Sequence, residues 1–157
     1  MRIKSNKHIV RKNTNMKAIR HSGIVISDRE KALRFYQDLL GLTMHREMVE
    51  SGDFISDILG LKDVKVNTMK LKADDGNLVE LLHFVSHPRK VVPYELCDMG
   101  PTHVAFTVED LDKEYERLTA AGVSFTVPPQ VSVDGNAKVT FCKDPDGNYI
   151  ELVQMLK

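Results

Sequence analysis

The chain of 157 residues has only two cysteines, Cys97 and Cys142, and they stand in dissimilar contexts. Two thiols in a chain of this length make no disulfide framework and lack the spacing of a metal site. Free thiols in a reducing cytoplasm are therefore expected, without nucleophilic cysteine chemistry. Net charge is also missing: 22 Lys and Arg are offset by 22 Asp and Glu. That removes the electrostatic case for nucleic acid, whose binding leans on clustered positive charge. No apolar run approaches the length needed to cross a membrane, so no membrane partner is expected. The charge is nonetheless uneven, because residues 1–17 carry Arg2, Lys4, Lys7, Arg11, Lys12 and Lys17 and no acid. A secretory signal needs a continuous apolar core after its charges, and the start "MRIKSNKHIVRKNTN" has none. "KSNK" and "RKNTN" favour turns over a targeting helix. Residues 1–17 read as a basic N-terminal arm, or as an upstream start to a protein beginning near Met16.

What is present is ordinary for a folded chain: 42% apolar and 28% charged residues, enough for one compact domain or two small modules sharing a core. The most informative feature is an internal repeat. "IRHSGIVISDREKALRFYQDLLGLT" opens the first copy at Ile19, and "PTHVAFTVEDLDKEYERLTAAGVSF" opens the second at Pro101. In each, a His is followed by alternating apolar residues and, seven positions on, by an Asp (His21 and Asp28, His103 and Asp110). The alternation predicts a half-buried strand, and the Asp predicts a helix N-cap. Ala32, Leu33, Tyr36, Leu39 and Leu40 form a helical stripe, as do Leu111, Tyr115 and Leu118. Gly41 and Gly122 stand where a left-handed residue would end each helix. Each copy closes on a D-G-N turn and an apolar strand bearing Glu, "ADDGNLVELLHF" and "KDPDGNYIELVQM". "VKVNTMKLK" and "AKVTFCK" predict further strands between helix and turn. The fold expected is α+β, with two tandem βαβββ modules over residues 18–86 and 101–157. A linker with Pro88 and Pro93 joins them over residues 87–100, ending on a Gly-Pro junction.

Four residues recur in matched places: His21 and His103 at the first strands, Glu80 and Glu151 in the last. An acid inside an apolar strand is costly to bury unless a cation, hydrogen bonds or a proton compensates it. Leu78 and Leu82 share the face of Glu80, as Tyr149 and Val153 share that of Glu151, which predicts that both acids point to the apolar side. Taken singly, each Glu would pair with a Lys or Arg, and each His would be a satisfied core residue. Recurrence of all four favours one locus where His21, Glu80, His103 and Glu151 hold one divalent metal ion (Ni, Zn, Co, Mn or Fe), leaving positions open for substrate. His45 stands in the second strand and could line the cleft, while His8, His83 and His87 read as surface residues.

The segments "RHSGIVISDREKALRFYQDLLGL", "VELLHF", "THVAFTVEDLD" and "DPDGNYIELV", in that order, resemble the signatures of the vicinal oxygen chelate superfamily, which includes glyoxalases, bleomycin-resistance proteins and extradiol dioxygenases. The resemblance covers about residues 18–155. It implies paired βαβββ modules whose curved mixed sheets surround a metal-binding cleft, commonly in a homodimer. The His/Glu/His/Glu set is similar to that of glyoxalase I, the lactoylglutathione lyase. Val25 and Phe84, however, stand where bacterial members carry an Arg and an Asn that contact glutathione. The implied substrate is therefore a small molecule not linked to glutathione. The implied chemistry is that of a lyase or isomerase: a proton is abstracted next to a carbonyl, giving an enediolate, with Glu151 as base and Glu80 as its alternate. A methylmalonyl-CoA epimerase-like enzyme, an Fe(II) extradiol-type dioxygenase and a drug- or metabolite-binding resistance protein are the alternatives. The apolar Phe54, Ile55, Ile58 and Leu59 are expected to shape the pocket.

Overall fold

A computed structural model describes residues 18–100 and 103–157. The basic arm over residues 1–17 lies outside the described residues, as do Pro101 and Thr102 at the start of the second module. The first module runs β1 (Ser22–Val25), α1 (Arg29–Leu33), β2 (Thr43–Ser51), α2 (Asp53–Leu59), β3 (Lys65–Lys72) and β4 (Leu78–Phe84). The second runs β5 (His103–Thr107), α3 (Leu111–Ala120), β6 (Gln130–Val131), β7 (Ala137–Lys143) and β8 (Tyr149–Met155). Each module is one four-stranded mixed sheet, ordered β1-β4-β3-β2 and β5-β8-β7-β6. In each, the first strand lies parallel to the last and the rest are antiparallel. Two βαβββ-type modules with mixed sheets are thus the architecture. Among the described residues no helix is long and apolar enough to cross a membrane.

The local signals act as their chemistry requires. The Asp28 carboxylate accepts from the Lys31 amide at 3.0 Å and the Asp110 carboxylate from the Lys113 amide at 3.2 Å, satisfying a free donor at each helix start. Gly41 and Gly122 sit at φ 79° and 90°, where a side chain would be strained. Two features depart from expectation. Beyond Leu33 the first helix widens into π-helical turns over Arg34–Leu39, with the Leu40 amide donating to the Phe35 carbonyl at 2.9 Å. The widening turns Phe35 inward beside Tyr36, so Phe35 joins the buried stripe. The first module also carries a helix the βαβββ pattern lacks. In α2, Ile55 packs with Val64 and Val66, against Leu82 and Phe84, as a small separate cluster.

One continuous core serves both modules. It takes Ile24, Met69, Leu71, Val79 and Leu81 from the first sheet, Cys142, Ile150 and Leu152 from the second, and Phe35, Tyr36, Leu111 and Leu118 from the helices. Burying each large side chain contributes about 1.5–3 kcal/mol relative to exposure. Polar ties cross the same seam. The Tyr36 hydroxyl donates to Asp144 Oδ2 at 2.8 Å, and Asp144 Oδ1 accepts from the Asp146 and Asn148 amides at 2.9 and 2.8 Å. Burial and the Asp144 charge push the Tyr36 phenol well above its ordinary range, so it stays a donor. The Ser27 amide donates to Asp146 at 2.9 Å, and Arg117 donates to the Leu39 carbonyl at 2.6 Å.

Candidate metal centre

The strand period decides which face each candidate occupies. In β4, Val79 and Leu81 belong to the shared core, so Leu78, Glu80, Leu82 and Phe84 lie on the opposite face. In β8, Ile150 and Leu152 are core residues, which puts Tyr149, Glu151 and Val153 on the other side. The expectation that both acids point to the main apolar interior is therefore corrected: the longer apolar run is the one they turn away from. Glu80 is nonetheless buried, at 9% exposure, because neighbouring side chains on its own face cover it.

On that face the structure makes the same pair twice. His21 Nε2 lies 2.9 Å from Glu80 Oε2, and His103 Nε2 lies 3.1 Å from Glu151 Oε2. The register is equivalent as well. Gly23 stands opposite Glu80 and Ala105 opposite Glu151, two small residues that leave room beside the acid. Among the described residues His21 Nδ1 is buried without a hydrogen-bond partner, which leaves the pairing with Glu80 as the polar tie of that ring there.

Within one chain the pairs stay separate. Among the described residues, no group of three or more His, Cys, Asp or Glu side chains is placed to hold a metal ion. Two cavities of about 520 Å³ reach the histidines but not the glutamates, one lined by His21 with Leu40 and Val79, the other by His103 with Tyr94, Asn148 and Tyr149. Either is large enough for a small ligand. Val25, on the face of Glu80, is exposed, and Phe84 is half-buried against the α2 cluster. Of the remaining histidines, exposed His45 falls at the β2 bulge, and His87 Nδ1 lies 2.7 Å from the Ser86 hydroxyl. Both cysteines are free, and burial pushes the Cys142 thiol up to about 12, which leaves it unreactive.

The surroundings of the two pairs differ in charge, at a position that the sequence reading missed. Lys70, opposite Glu80 in the β3–β4 ladder, puts its ammonium 3.1 Å from Glu80 Oε1. The matching position opposite Glu151 is Phe141, whose ring meets that of His103 edge-on at 5.3 Å. A Lys or Arg partner, the expectation for either acid taken singly, thus occurs at Glu80. Counting back from the two D-G-N turns aligns Lys72 with Lys143 and Lys70 with Phe141, a signal the sequence did contain.

Comparisons with known proteins place the fold. A "Probable lactoylglutathione lyase" of Synechocystis is 29% identical over 135 residues, covering 85% of this chain and 92% of that protein. A glyoxalase family protein of Bacillus cereus superposes with a TM-score of 0.81 at 22% identity, covering 92% of this chain and 98% of that one. The genomically encoded fosfomycin resistance protein of Listeria monocytogenes, solved with Mn(II) and a sulfate ion, shares the fold with a TM-score of 0.57 at 17% identity, covering 88% of this chain and 93% of that one. The family model "Glyoxalase/Bleomycin resistance protein/Dioxygenase superfamily" matches residues 18–152, and the chain belongs to that superfamily.

Proposed function

We propose that this chain is a metal-dependent lyase or isomerase of the glyoxalase type, acting on a small molecule as a homodimer. In this reading His21 and Glu80 of one chain and His103 and Glu151 of a second hold one divalent cation. The observation that carries the reading is the duplicated His–Glu pair, made at equivalent register positions on faces the core leaves free. Two imidazoles and two carboxylates form a mixed donor set suited to Ni, Zn, Co, Mn or Fe, and each pair supplies half of it. The relative described as a lactoylglutathione lyase supports the reaction class.

When bound, the cation supplies Lewis-acid stabilisation of a negative oxygen on a substrate with two adjacent oxygens. The chain's own residues supply the rest. His21 and His103 orient the two carboxylates. Glu151 is the better base, because its side chain is 21% exposed against 11% for Glu80, and Glu80 is also held by Lys70. A carboxylate less tightly engaged swings more readily to a substrate proton. Val25 and Phe84 offer no side-chain donor for a glutathione carboxylate or amide, which favours a substrate without that tail. Return of the proton to the adjacent carbon is a glyoxalase outcome, and return to the opposite face of the same carbon is an epimerisation.

The test is the metal content of protein purified without a chelating tag, by elemental mass spectrometry. Close to one transition metal per chain is expected, lost from the Glu80→Gln/Glu151→Gln double variant. No metal, and none taken up from added Ni, Zn, Co, Mn or Fe, would overturn the reading in favour of a metabolite-binding module. Oxygen consumption by the iron-loaded protein would point instead to a dioxygenase.

A further inference from the structure

The two modules differ in charge opposite their glutamates: Lys70 faces Glu80 where Phe141 faces Glu151. Resting on the function proposed above, we infer that Lys70 makes the centre select a substrate carrying an anionic group, a carboxylate or a phosphate, beside its two adjacent oxygens.

The inference follows from charge. Two carboxylates cancel the charge of a divalent cation, and two neutral imidazoles add none. The Lys70 ammonium, with a side chain only 28% exposed and 3.1 Å from Glu80, then leaves the centre one positive charge in excess. A positive charge at a partly desolvated site is best compensated by an anion in contact with it. Glu50, on the same face of β2, is a second acid, and the neutral Thr68 hydroxyl that donates to it at 3.0 Å leaves its charge in place. Arg46, which stands opposite Lys70 in the β2–β3 ladder and makes no ion pair among the described residues, offsets that charge, so the excess of one remains. The other flank has no such cation opposite its glutamate, because Phe141 takes the place of Lys70 there. A substrate would therefore lie with its anionic end toward the first module and its apolar part toward the second.

Three hydroxamates with the same chelating head test this: acetohydroxamate, with a neutral tail, and its malonate and phosphonoacetate counterparts, with carboxylate and phosphonate tails. Their affinities are measured by calorimetry on Ni-loaded protein, wild type, Lys70→Met and Lys70→Arg. One or both anionic probes should bind wild type about tenfold or more tighter than acetohydroxamate, the size of one charge-assisted hydrogen bond. The preferred tail names the anion. Lys70→Met should abolish the preference, read as the ratio of anionic-probe to acetohydroxamate affinity within each protein at matched Ni loading, and Lys70→Arg should keep most of it. Equal binding of all three probes by wild type, or a preference that survives in Lys70→Met, would overturn the inference and leave the metal reading standing. Failure of wild type to take up Ni or any other metal would overturn the proposed function, and this inference with it.

Discussion

Two carboxylates of the first sheet are held in contrasting ways. Glu47 lies at the surface, where Arg29 donates to both its oxygens at 2.8 and 2.9 Å and Asn67 adds a bond of 2.8 Å. The Arg29 contacts, ahead of Asn67, hold the carboxyl down to about 2 from an ordinary 4.5. A depressed native value means that the unfolded chain takes up the proton first. The contribution of Glu47 to stability is therefore complete above pH 4.5 and is lost as pH falls toward about 2. Solvent screening keeps it small. Urea titrations should show Glu47→Gln destabilised relative to wild type at pH 6, with the difference gone near pH 2. A difference of the same size at both values would mean that packing, not charge, is at work. Glu80 is the opposite case, nearly covered and held between His21 and Lys70. Its His partner was legible in the sequence because His–Glu recurs in both copies. Lys70 was legible only in part: aligning the two turns sets it against Phe141, but the β3–β4 register is what makes it a neighbour of Glu80.

Among the elements, the repeat and its punctuation were readable because they are local. The Asp caps, the glycines at positive φ and the D-G-N turns each act within a few residues, and all occur as expected. Helix α2 was not recognised as an element. Phe54, Ile55, Ile58 and Leu59 have helical spacing, but only Ile55 of these is buried, and the cluster it joins is assembled by the tertiary fold. The π-helical widening after Leu33 escaped for a related reason, since it shifts the stripe by one residue to admit Phe35. Ile55→Ala should lower global stability by about 2 kcal/mol or more, the usual cost of emptying a buried site. It should also speed amide exchange in α2 more than in β7 or β8, because the cluster is separate from the main core. Equal acceleration in both sheets would show that α2 is not an independent unit.

At the scale of the whole molecule, the strand alternation that builds the common core sets both His–Glu pairs on the faces left over. The sequence showed that two His and two Glu recur in matched places but could not show whether they meet within one chain, which depends on how the modules pack. A mixed dimer of His21→Ala/Glu80→Gln chains with His103→Ala/Glu151→Gln chains tests the shared centre. Either variant alone should bind no metal, whereas the heterodimer, isolated through two different non-chelating tags, should bind close to one ion. A metal-free heterodimer would place all four ligands in one chain. If the pairs do meet around one cation, the exchange of lysine for phenylalanine between otherwise matching flanks has a stereochemical consequence. A centre with identical halves accepts a ligand equally well in either of two orientations, and so offers both faces of its reacting carbon to the same base. Unlike halves admit one orientation, so the proton leaves and returns along a defined direction and the product is of one hand.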